Sequence, residues 1–78
     1  MTRKMALARA LELYECAPGE RITGTTRRWV ELSEDPSVPG PVRDVLCWVV
    51  EFSGDDGPTA DLYIGDATGE LVKRSTYT

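Results

Sequence analysis

The chain has 78 residues, 41% apolar and 28% charged, the balance of one folded domain whose core is only just sufficient at this length. Nine basic against thirteen acidic residues give a net charge of −4, which argues against a nucleic-acid binder, normally a basic domain. With no histidine and only Cys16 and Cys47, the commonest general base, the nucleophile–His pairs and zinc-ligand spacings are all lacking, so no enzyme, metal or cofactor is expected.

At the N-terminus, Arg9 and Glu12 interrupt the apolar residues that follow Arg3 and Lys4, which is unlike a signal peptide. No run is long enough to span a bilayer. A cytoplasmic protein without membrane contact is expected, with both thiols reduced. Residues 3–16 read as a helix. Thr2 suits the N-cap, and Ala, Leu, Arg and Glu are good helix formers. Leu7, Ala10, Leu11 and Tyr14 form an apolar stripe, widened by Ala6 and Leu13, and Pro18-Gly19 is expected to stop the helix.

Residues 21–32 read as a first strand, rich in Thr, Ile, Val and Trp, with Gly24 marking a bulge or bend. Alternation sets Thr26, Arg28, Val30 and Leu32 on one face, and Thr25, Arg27, Trp29 and Glu31 on the other. Pro36, Pro39 and Pro41 break the strand, making residues 33–41 an extended connection. The next stretch, Val45-Leu46-Cys47-Trp48-Val49-Val50-Glu51-Phe52, is the most apolar in the chain and reads as a central strand. Leu46, Trp48, Val50 and Phe52 form its bulkier, helix-facing side. Gly54-Asp55-Asp56-Gly57-Pro58 is a turn whose acidic spacing does not match a calcium loop. A third strand, Thr59–Gly65, alternates Ala60, Leu62 and Ile64 with Asp61 and Tyr63. Asp66-Ala67-Thr68-Gly69 is a tight turn with Gly69 suited to positive φ, and residues 70–77 make the last strand.

The helix Ala6-Leu7-Ala8-Arg9-Ala10-Leu11-Glu12, the strand Trp48-Val49-Val50-Glu51-Phe52 and the segment Leu62-Tyr63-Ile64-Gly65-Asp66-Ala67-Thr68-Gly69-Glu70-Leu71-Val72 together resemble PepSY-type domains, within the cystatin-like α+β group. The last segment is similar to the family's aromatic, apolar strand, Asp-Ala-x-Thr/Ser-Gly-Glu pattern. It carries Gly65 where the family often has valine, and its turn is one residue shorter. The Gln-x-Val-x-Gly loop of cystatin-like inhibitors is not present. The resemblance implies one domain over residues 1–78, with modulation or inhibition of a partner such as a peptidase. The implied architecture is α+β, one N-terminal helix packed across a four-stranded antiparallel meander sheet, and the short turns between strands support it independently.

One helix covers one face of such a sheet. Trp29, Val45, Cys47, Val49 and Tyr63 are expected on the other face, ringed by Arg27, Glu31, Glu51 and Asp61, the composition of a protein-binding patch. That face can instead be covered by loop 33–41, or by a second copy in a homodimer. Arg27, Arg28, Lys73 and Arg74 divide between the faces and read as solvated charge. Cys47 lacks any activating neighbour, and Cys16 sits at the unfavourable pole of a helix. The expected function is a non-enzymatic module that docks and regulates or inhibits a partner protein, with Trp29 and Tyr63 as anchors. The alternatives are a small acidic immunity or antitoxin protein, recognising a basic toxin by charge, and a structural homodimeric subunit.

Overall fold

The computed structural model describes residues 1–33, 37, 40 and 42–77. Helix α1 (Arg3–Leu13) precedes strands β1 (Arg21–Ser33), β2 (Val42–Gly54), β3 (Gly57–Gly65) and β4 (Leu71–Thr76), an α+β arrangement. The sheet order is β1-β2-β3-β4, and each neighbouring pair is antiparallel, so the sheet is a meander. The apolar β2 lies in the interior, as its composition predicts. The expectation that loop 33–41 covers a sheet face falls largely outside the described residues.

Thr2 caps α1: its hydroxyl accepts the Met5 N–H at 3.2 Å, satisfying one of the donors every helix start leaves open. The helix stops at Leu13, three residues before the predicted end and well before Pro18-Gly19. Tyr14 turns to an extended conformation (φ −130°, ψ 120°), and its ring settles 4.4 Å, centroid to centroid, from that of Phe52. Its hydroxyl donates to Glu20 at 2.6 Å. An aromatic pair in the core and a charge-assisted bond outweigh one more helical turn. The apolar stripe shifts accordingly. Ala6 and Ala10 are fully buried, Leu7, Leu13 and Tyr14 are partly buried, and Leu11 is 57% exposed.

The core joins Ala10 of the helix to Val50, Phe52, Ala60, Leu62 and Ile64 of the sheet. The contact between helix and sheet is small and falls chiefly on β2 and β3, narrower than a helix lying across all four strands. Glu20 supplements it. Its carboxylate accepts from the hydroxyls of Tyr14 and Thr59 and from the Ala17 N–H, at 2.6, 2.7 and 2.7 Å. These bonds, Tyr14's foremost, hold Glu20 below the usual carboxylate range, while the same bond raises the Tyr14 phenol.

The turns follow the sequence. The register slips between Ile22 and Gly24, a bulge at Thr23 where Gly24 suggests one. The β2–β3 hairpin closes on the pair Gly54–Gly57, and Gly57 takes φ +121°. Between β3 and β4, Gly69 takes φ +71°, and its N–H donates to the Gly65 carbonyl at 2.8 Å. The Arg9 side chain donates to the Gly69 carbonyl at 2.8 Å, and the Trp48 indole N–H donates to Asp66 at 2.8 Å. That turn is therefore held by both the helix and the central strand.

Candidate functional site: the open sheet face

Register decides which residues share a face, because paired residues lie side by side and successive residues alternate. Gly24, Thr26, Arg28 and Val30 pair with Glu51, Val49, Cys47 and Val45. Glu51 and Val49 pair onward with Asp61 and Tyr63, which pair with Ser75 and Lys73. Phe52 and Val50 belong to the helix-side core, so this set occupies the opposite, open face. Val45, Cys47, Val49 and Tyr63 are all on it, as their alternation predicts.

Trp29 and Arg27 are not. Trp29 pairs with Leu46 and Arg27 with Trp48, which places both on the helix side, contrary to expectation. The Arg27 guanidinium lies 5.7 Å from the centre of the Trp48 ring, a cation–π distance. Trp29 is 67% exposed, because it lies on edge strand β1 while the helix contacts fall chiefly on β2 and β3. An open groove of about 560 Å³ lies beside it, lined in part by Asp44, Leu46, Asp66 and Thr68.

On the open face, Cys47 and Val49 have no accessible surface. Arg28, Tyr63 and Lys73 flank them there. The Arg28 guanidinium and the Lys73 ammonium lie 6.0 and 5.3 Å from the centre of the Tyr63 ring, so two cations from opposite edge strands converge on one aromatic. Composition alone does not reveal that convergence. Gly65 fills the β3 position beside Cys47 on this face. Arg27 and Arg74 go the other way, onto Trp48 and Tyr14.

One end of the face is acidic. Glu51 and Asp61 are directly opposite, Asp61 is 8% exposed, and the Tyr77 hydroxyl donates to it at 2.5 Å. That bond and the Asp61 charge raise the Tyr77 phenol. Burial pushes the Cys47 thiol up, favouring the unreactive thiol over the nucleophilic thiolate. The described residues hold no cluster of His, Cys, Asp and Glu arranged to bind a metal ion. No described helix is long and apolar enough to cross a membrane. No protein-family model, no curated protein and no solved structure matches the chain.

Proposed function

We propose that the chain is a non-enzymatic, cytoplasmic protein-binding module, PepSY-like in architecture, that docks a partner protein on its open sheet face and thereby regulates or inhibits it. The observation that supports this reading is the convergence of Arg28 and Lys73 on Tyr63, above a floor of fully buried Cys47 and Val49. An aromatic held between two cations is already ordered before binding, so little side-chain entropy is lost on association. Its two positive charges select an acidic contact on the partner. Tyr63 is the anchor of this face, and Arg28 and Lys73 set its preference. The Asp-Ala-Thr-Gly-Glu turn, held by Trp48 and Arg9, fixes the end of β3 that carries Tyr63.

The test is a pull-down from a lysate of the native host, comparing wild type with Tyr63→Ala and with Lys73→Glu, each shown to be folded by circular dichroism. One protein recovered by wild type and lost with both variants supports the proposal. Equal recovery by all three overturns it.

A further inference from the structure

The edge of β1 fits a second copy of itself. Among the described residues, β1 has a strand partner only on the β2 side. The Asp66 N–H donates to the Leu46 carbonyl at 2.9 Å, so even-numbered residues at this end of β2 turn their backbone groups toward β3. Odd-numbered residues then bond to β1, where Val45 and Cys47 meet Val30 and Arg28. The backbone groups of Arg27, Trp29 and Glu31 consequently point outward, along an unpaired edge.

We infer that two copies of the chain pair antiparallel along β1, on a two-fold axis through Trp29, joining their sheets into one. In that register Trp29 meets Trp29, and Arg27 of each copy meets Glu31 of the other. The residues facing each other, 27, 29 and 31, are those whose backbone groups point outward, so each forms the doubly hydrogen-bonded type of pair. Arg28 meets Val30 and Thr26 meets Leu32, with no like charges opposed. The neighbouring symmetric registers fare worse. Axes through Arg27, Arg28 or Glu31 set like charges against each other, and an axis through Val30 leaves Arg27 and Glu31 without opposite charges.

Two features of this edge call for such a partner. Trp29 is the most exposed large apolar residue among the described residues at 67%, at the centre of the register. Glu31 pairs with Asp44 on the same face, two carboxylates side by side, a destabilising arrangement within one sheet. Neither is in a salt bridge among the described residues. Arg27 of the second copy supplies the cation. An edge contact buries less than a standard interface of about 1,600 Å², so association is expected to be weak, with Kd between about 10 µM and 1 mM.

The test is sedimentation equilibrium on wild type, on Arg27→Glu and on Glu31→Arg, alone and mixed. Arg27→Glu sets a new carboxylate against that of Glu31 across the axis, and Glu31→Arg opposes two guanidinium groups. Each variant alone is expected to be monomeric at concentrations where wild type dimerises, with Kd raised at least about tenfold. Mixed together, the two are complementary at both positions and are expected to form a heterodimer, an outcome that misfolded variants cannot produce. Wild type that stays monomeric to about 1 mM, the weak limit expected of so small an interface, overturns the inference. So does a wild-type dimer whose Kd neither variant changes, or a mixture in which the variants stay apart.

Discussion

Cys47 offers a direct chemical probe of the open face. It has no accessible surface although no described helix or strand covers its side of the sheet, and it sits in the interior strand β2, where the backbone is paired on both edges. A thiol reagent therefore reaches it only when that strand opens, and opening a central strand approaches global unfolding. At about 0.05 kcal/mol per residue, the low end for native domains, 78 residues give about 4 kcal/mol. That free energy corresponds to a roughly thousandfold slowing relative to an exposed thiol, since each 1.36 kcal/mol is about tenfold. Burial also raises the Cys47 thiol, which slows the reaction further by reducing thiolate. Cys16 is exposed and serves as the internal reference. With an aromatic disulfide reagent, one thiol is expected to react at once and the second at least about a thousand times more slowly, and only the fast phase is lost in Cys16→Ser. Tyr63→Ala removes a flanking side chain and is expected to accelerate the slow phase at least about tenfold without lowering the unfolding midpoint by a matching amount. Two thiols reacting within a factor of about ten in wild type refute the placement of Cys47.

Phe52 is the largest fully buried side chain and stacks on Tyr14, so Phe52→Ala is expected to cost about 3–5 kcal/mol, most of the stability of a domain this small. Phe52→Leu should cost about 1.5 kcal/mol or less, lowering Tm by up to about 12 °C; urea unfolding with an unchanged slope checks both. A Cβ at Gly65 would lie 2.8 Å from the Thr68 hydroxyl and 3.4 Å from a Val72 methyl. Gly65→Val, although valine is the residue the PepSY-type pattern often carries there, is therefore expected to destabilise, and Thr68→Ala in the same chain should recover part of the loss in thermal melts. Glu20 is held below its ordinary range, so its contribution is present above that range and is lost as pH falls through its lowered value. Stability measured against pH should show this acid limb in wild type, with a smaller fall in Glu20→Gln. The raised groups Cys47, Tyr14 and Tyr77 contribute below their ordinary values and should produce a loss of stability as pH rises beyond about 8.5 to 10.

Local chemistry carries much of the fold into the sequence. The Thr2 cap, the bulge beside Gly24, the interior position of β2 and the left-handed Gly69 each follow from one residue type in one local setting. The end of α1 does not, because Tyr14 leaves the helix for partners outside it, Phe52 in the core and Glu20 in the connection to β1. The face of Trp29 is hidden for a different reason. Alternation along β1 separates Trp29 from Val30, but which of them joins Val45 and Cys47 depends on the pairing across the β1–β2 connection. No short-turn rule gives that parity, because the two strands are joined by a long, proline-containing stretch of sequence. A shift of one residue would carry Arg27 and Trp29 to the open face. The basic pair at Tyr63 is equally invisible in the sequence, since Arg28 and Lys73 lie on opposite edge strands and converge only across β2 and β3.

The measurement that tests the docking proposal most directly compares the affinities of Tyr63→Ala and Trp29→Ala for the purified partner, with wild type alongside, by titration calorimetry. The two aromatics lie on opposite faces of one sheet, so the pair of variants separates the open face from the helix side in one experiment. Docking on the open face predicts that Tyr63→Ala weakens binding at least about thirtyfold, as expected for an aromatic hot spot worth about 2 kcal/mol, while Trp29→Ala binds within about threefold of wild type. The reverse order, with Trp29→Ala losing the partner and Tyr63→Ala retaining it, would contradict the proposal and move the docking surface to the helix side.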